Sequence, residues 1–74
     1  MQRTAVTSAV IESIGYDRGS RALEIAFVDG WVVQYYQVPS TVYQDLVETM
    51  PPDPYFYGMI EGQYPSSPVK EAYR

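Results

Sequence analysis

Cysteine and histidine are both absent from the 74 residues. Their absence excludes disulfides, thiolate and imidazole metal sites, haem ligation, a cysteine nucleophile and the histidine base of a serine triad. It also fits a reducing compartment. Basic residues are scarce, five against nine acids, for a net charge of −4. Binders of long nucleic acids carry the opposite balance, because phosphate neutralisation dominates their affinity. Long nucleic acid is therefore disfavoured as a partner, whereas a small phosphate-bearing ligand needs only one or two arginines. The longest apolar run is about four residues, against the roughly 20 that cross a bilayer, so no membrane partner is expected. The start, Met1-Gln2-Arg3-Thr4-Ala5-Val6, lacks the apolar stretch of a secretory signal, and the chain reads as cytoplasmic. No Walker, dinucleotide or EF-hand spacing occurs, so neither cofactor nor metal is expected. Asp17, Glu24, Asp45 and Glu48 are the carboxylates considered as a pair for acid–base work. Asp45 and Glu48 fall at i, i+3 on the polar face of a predicted helix, as on any surface helix. The expectation is a protein that binds rather than catalyses.

What is present is apolar and aromatic. Hydrophobic residues make up 46% of the chain and charged ones 19%, a globular rather than a disordered balance. Chains this short bury only about 60% of their unfolded surface and often gain stability by associating. Tyrosine stands out, with eight copies beside Trp31 and two phenylalanines. A tyrosine offers a broad apolar face and a polar tip, which suits half-buried seams, interfaces and stacking platforms alike.

Along the chain, residues 1–8 read as an extended lead-in. Val10, Ile11 and Ile14 mark a first strand over about 9–16. Asp17-Arg18-Gly19-Ser20-Arg21 is a polar turn. Leu23, Ile25 and Phe27 alternate with Ala22, Glu24 and Ala26, the period of a strand over 22–28. Asp29-Gly30 then signals a hairpin into a strand over 31–38. A two-residue loop would set Gln34 against Ile25 in the core. A three-residue loop, Val28-Asp29-Gly30, with Gly30 left-handed, pairs Phe27 with Trp31, Ile25 with Val33 and Leu23 with Tyr35 instead. All of these are apolar, and the pattern selects the longer loop. It leaves Tyr36 on the outer face.

After Val38-Pro39, Ser40 is read as the N-cap of a helix over 40–49, whose apolar stripe is Val42, Tyr43, Leu46, Val47 and Met50. Pro51-Pro52 stops it. Asp53 is read as the N-cap of a second helix over 54–61, with Tyr55, Phe56, Met59 and Ile60 inward, Tyr57 pointing elsewhere and Gly62 closing it. The last ten residues read as a mobile tail. The fold class expected is α+β: a small two-layer domain over 1–64, an antiparallel sheet of about three strands packed by two short C-terminal helices, then a tail over 65–74. Phe27 and Phe56 are core positions in this reading, and Phe27→Ala is expected to cost about 3–5 kcal/mol.

Ile14-Gly15-Tyr16-Asp17, Leu23-x-Ile25-x-Phe27, Gly30, Tyr35-x-x-Val38-Pro39-x-x-Val42-Tyr43-x-x-Leu46 and Tyr55-Phe56-x-x-x-Ile60 occur in this order. Together they resemble the KTSC domain over residues 6–65. That family is named after a C-terminal extension of some lysyl-tRNA synthetases and also occurs as free-standing proteins of bacteria and phages. The resemblance implies RNA binding through a central Tyr-x-Tyr motif. Here Val33 stands at the first tyrosine of that motif, Tyr57 at a usual asparagine, Glu61 at a usual arginine, and Ala9 at one of two usual serines, Ser8 being the other.

Two groups of residues are candidates for ligand binding. Arg18 and Arg21 flank the turn glycine, where two guanidiniums can clamp a phosphate with backbone N–H groups assisting. The plain alternative is a solvated hairpin tip. Tyr16, Tyr36 and Tyr57 are the aromatics expected outside the core, able to stack on bases or to bury themselves against a second copy. Three functions follow: a non-catalytic module for a nucleotide-type ligand or a short RNA segment; a homo-oligomer sequestering a small nucleotide signal, as phage proteins do; or a protein–protein interaction module.

Overall fold

The computed structural model describes residues 3–70, apart from the side chain of Lys70. Seven elements follow in chain order: β1 (Arg3–Ala5), β2 (Ile11–Asp17), β3 (Ala22–Phe27), β4 (Val32–Tyr35), α1 (Ser40–Glu48), α2 (Asp53–Met59) and β5 (Ser66–Lys70). The strands form one antiparallel sheet in the order β1-β2-β3-β4-β5. The α+β class and the two helices are as expected, but the sheet has five strands where about three were expected. The extra pair lies at its edges. β1 is too short to show a period. β5 is built from Ser-Ser-Pro-Val-Lys, whose composition is that of a tail; proline is tolerated there because an edge strand need not donate from every N–H. Residues 66–70 are thus a strand against β4, with Tyr35 opposite Ser66 and Val33 opposite Pro68. The expected tail over 65–74 is corrected to that extent, and residues 71–74 lie outside the described residues.

The hairpin between β3 and β4 has the three-residue loop. Leu23 pairs with Tyr35, Glu24 with Gln34 and Ile25 with Val33, and the Phe27 N–H donates to the Trp31 carbonyl at 2.8 Å. Gly30 sits at φ 103°, a conformation that a side chain would strain. In β2, Ile11 and Ile14 are three apart, and strict alternation would send them to opposite faces. A bulge between Ile11 and Ser13 shifts the register, so that both are fully buried.

The core joins Ile11, Ile14, Leu23, Ile25 and Tyr35 of the sheet to Val38, Leu46 of α1, and Phe56 and Ile60 at α2. Several expected core positions differ. Met50 and Met59 are 73% and 52% exposed, because each lies at or past the end of its helix, where the stripe has left the sheet. Phe27 is half-buried at the margin of the core. Neither expected side-chain cap forms: α1 is capped by Pro39 and α2 by Pro52. Ser40 and Asp53 are instead the first helical residues. Asp53 receives a hydrogen bond from the Ser8 hydroxyl. The same Ser8 oxygen accepts from the Val10 and Ile11 N–H groups at 3.0 and 2.9 Å. One serine therefore ties the entry of β2 to the start of α2.

Candidate functional site

The β2–β3 turn is a rigid frame. The Asp17 carboxylate accepts from the Gly19 N–H at 3.1 Å and the Ser20 hydroxyl at 2.9 Å. Arg21 is left-handed, at φ 59°. Its N–H donates to the Asp17 carbonyl at 2.7 Å and its carbonyl accepts from Val38 N–H at 3.0 Å. Both backbone groups of Arg21 are thus satisfied, which offsets the unfavourable conformation and leaves an exposed guanidinium beside the strand-to-helix connection. There Tyr16, Arg18 and Arg21 join Pro39 and Ser40 around a pocket of about 280 Å³. The first turn of α1 carries no acidic residue. The Pro39 carbonyl takes the Val42 and Tyr43 N–H groups. The N–H groups of Ser40 and Thr41 precede any intrahelical partner, at the positive end of the helix. Among the described residues the ion pair is Arg3 with Glu24, at 3.4 Å, and neither Arg18 nor Arg21 meets a carboxylate.

Tyr16 belongs to this pocket but not to the free surface expected for it. Its ring stacks on Tyr43, with centroids 4.9 Å apart and planes 11° off parallel, and its hydroxyl donates to the Val38 carbonyl. One face of Tyr16 is thereby committed to the core seam. Tyr36 and Tyr57 lie elsewhere. Tyr36 projects from the outer sheet face, where its hydroxyl lies 3.4 Å from Gln34 Oε1. Gln34 in turn donates to Glu24 at 3.0 Å, and Glu24 meets Arg3. The result is a polar row across four strands, in which Arg3 passes over Gly15, its partner on β2.

Tyr57 lines a second cleft, of about 330 Å³, between the β3–β4 hairpin tip and α2. Its walls include Phe27, Trp31, Tyr35, Phe56 and Tyr57, with Asp29 and Glu61 at the rim. Phe56 is the hub, meeting Tyr57, Phe27 and Tyr35 edge-on at 5.2, 5.7 and 5.8 Å. Burial pushes the Tyr35 phenol above its ordinary range, and the Glu61 carboxylate and Tyr57 phenol add to the shift. Tyr55, which hydrogen-bonds to Asp45 across the helix pair at 3.3 Å, is raised by burial first and by Asp45 second. Sequence reasoning missed this cleft. Its residues come from three separate segments, and only the hairpin register brings Trp31 beside Phe27. Among the described residues no group of acidic side chains is arranged to hold a metal ion, and no helix is long and apolar enough to cross a membrane.

Residues 7–64 match the KTSC domain family. A crystal structure of a KTSC domain protein from Yersinia pestis superposes with a TM-score of 0.87 at 36% identity, covering 92% of this chain and 96% of that one. An uncharacterized protein of Stutzerimonas stutzeri is 40% identical over 48 residues, 65% of this chain and 68% of its own. A protein of Tsukamurella paurometabola is 30% identical over 59 residues, 80% of this chain and 88% of its own. The chain belongs to the KTSC domain family.

Proposed function

We propose that this KTSC domain is a non-catalytic binding module for a phosphate-bearing, nucleotide-type ligand or the phosphate of a short RNA segment, held at Tyr16, Arg18, Arg21, Pro39 and Ser40. The observation that carries the reading is the convergence of two guanidiniums, unpaired among the described residues, on a pocket that also receives the start of α1. In a chain of net charge −4, such a local reversal of sign favours a compact anion over a long polyanion. Tyr16 supplies a ring edge and one remaining face for a base or sugar. Tyr36 and Tyr57 fall outside this pocket and are not part of the proposed site.

The test is calorimetric titration with mono-, di- and cyclic nucleotides and a short RNA at two salt concentrations. Arg18→Ala and Arg21→Ala are expected to weaken binding about tenfold each, the scale of a charge-assisted hydrogen bond, with affinity falling as salt rises. Binding that ignores both substitutions and the salt refutes the site. Self-association is a companion proposal, favoured by the exposure of Tyr57 and Met59 on α2, and ultracentrifugation tests it directly.

A further inference from the structure

The cleft at the opposite end of β3 has the reverse chemistry. Its walls are aromatic, and the two ionisable side chains at its rim, Asp29 on the hairpin and Glu61 after α2, are both acidic. Asp29 is oriented by its own turn: Oδ1 accepts the Trp31 N–H at 3.1 Å, which leaves Oδ2 free to take a second donor. Among the described residues no lysine or arginine pairs with either carboxylate. Tyr35 forms part of the lining although it is only 6% exposed. Among the described residues its hydroxyl makes no hydrogen bond, yet it is not sealed from solvent. A phenol that lines the cleft without a protein partner among the described residues can donate to or accept from a ligand there.

We propose that this cleft is a binding site for an alkylammonium cation. Its ammonium would be held by Glu61 with the Tyr35 hydroxyl, its alkyl chain would lie against Phe27, Trp31 and Tyr57, and Asp29 at the hairpin tip would add negative charge at the far end of the cleft. Anions are repelled by the two rim carboxylates. A neutral apolar molecule would displace water from the Tyr35 hydroxyl and supply no donor in its place. An organic cation supplies donors to the Glu61 carboxylate and the Tyr35 hydroxyl and gains from the ring faces, which attract positive charge. Trp31 and Tyr57, 36% and 48% exposed, are open to such a ligand. The site stands apart from the arginine pocket, and neither depends on the other.

Trp31 is the one tryptophan of the chain, so its fluorescence reports on this cleft. The full chain is titrated at constant ionic strength and neutral pH with n-butylammonium, with its neutral isostere n-butanol and with butyrate. Saturable change is expected with the ammonium alone. Glu61→Gln is expected to weaken it about two- to fivefold, as for an exposed ion pair, and the more distant Asp29→Asn less than that. Tyr57→Ala is expected to weaken it about two- to tenfold. These side chains lie at the surface, so unchanged melting of the variants verifies their fold. An arm with Nα-acetyl-lysine methylamide separates sources: tighter binding than n-butylammonium identifies a lysine side chain, weaker binding a free amine. Equal response to n-butanol, a preference for the cation surviving in the double carboxylate variant, or no saturable change would each overturn the proposal. The nucleotide titrations of the arginine variants read the other pocket, so either site can fail alone.

Discussion

Replacing Phe56 with alanine tests how the two layers are held together. The ring is 1% exposed and packs edge-on against Phe27, Tyr35 and Tyr57. Truncation of a buried phenylalanine costs about 3–5 kcal/mol. Each edge-on pair adds about 0.5–1.5 kcal/mol beyond burial, which places Phe56 at the upper end of that range. A domain of this length has a total stability of roughly 4–11 kcal/mol. Phe56→Ala therefore removes between about a third and all of it. Besides Phe56, α2 and its two caps fully bury only Pro52 and Ile60, and a seven-residue helix does not persist alone in water. Loss of the ring is thus expected to free α2, lowering the urea m-value along with the midpoint. Phe27 provides the comparison. Because it is only partly buried, on the cleft wall, its truncation is expected to cost less, roughly 2–4 kcal/mol, in proportion to the area removed from water. Urea unfolding of both variants followed by circular dichroism measures the difference. A cost for Phe27→Ala equal to or above that for Phe56→Ala would refute the assignment of Phe56 as the hub.

Ser8→Ala removes the acceptor for two N–H groups and the donor to Asp53, and is expected to cost about 1–3 kcal/mol in denaturant unfolding. A double-mutant cycle with Asp53→Ala should show coupling above about 0.5 kcal/mol, and additive effects would separate the two residues. The raised phenols of Tyr35 and Tyr55 make the native state hold protons that the unfolded chain releases above pH about 10. Their contribution is complete below that pH and is lost as pH rises toward the folded values. Thermal midpoints should therefore fall above pH about 10, less steeply in Tyr35→Phe; an identical slope in that variant would refute Tyr35 as a source. Ending the chain after Pro65 deletes β5 and uncovers the β4 edge. Stability should fall by about 2 kcal/mol or more through lost ladder hydrogen bonds, whereas a tail without structure would leave the melting point unchanged.

The central hairpin was legible because alternation and loop length constrain each other: only one loop keeps Gln34 out of the core. Both helices were legible from their stripes and the prolines that bound them. The edge strands were not, since three residues carry no period and a Ser-Ser-Pro segment gains its strand conformation only from the neighbouring β4. The caps were misread for a related reason. Ser40 and Asp53 have the right chemistry for N-caps, but the rigid prolines before them set the helix start, and Asp53 found a partner 45 residues away in Ser8. Of the candidate residues, Arg18 and Arg21 lie together as their shared turn suggested, whereas Tyr16, grouped by sequence with Tyr36 and Tyr57, lies with the arginines instead. Pro39 and Ser40 joined them because Val38 hydrogen-bonds back to Arg21, a contact that no local pattern announces.

The abundance of tyrosine has a structural resolution. Tyr35 is in the core, and Tyr16, Tyr43, Tyr55 and Tyr64 pack against it from its margins. A thin two-layer domain has few positions that are wholly inside and many along the seam between sheet and helices. A seam position needs an apolar body with a tip that water or a carbonyl can satisfy. Tyr16 shows the principle, its ring on Tyr43 and its hydroxyl on the Val38 carbonyl. Tyr55 repeats it between the helices, reaching Asp45. Tyrosines spent in this way are not available as an interface, so the aromatic surplus among the described residues narrows to Tyr36 and Tyr57. Tyr36 ends a polar row on the outer sheet face, whereas Tyr57 stands over a cleft with two unpaired carboxylates among the described residues. Five of the seven tyrosines among the described residues are therefore first a means of closing a small core. The two proposed sites lie at the two ends of β3, one beside the turn that carries Arg18 and Arg21, the other beside the turn that carries Asp29, with Glu61 facing it from the end of α2.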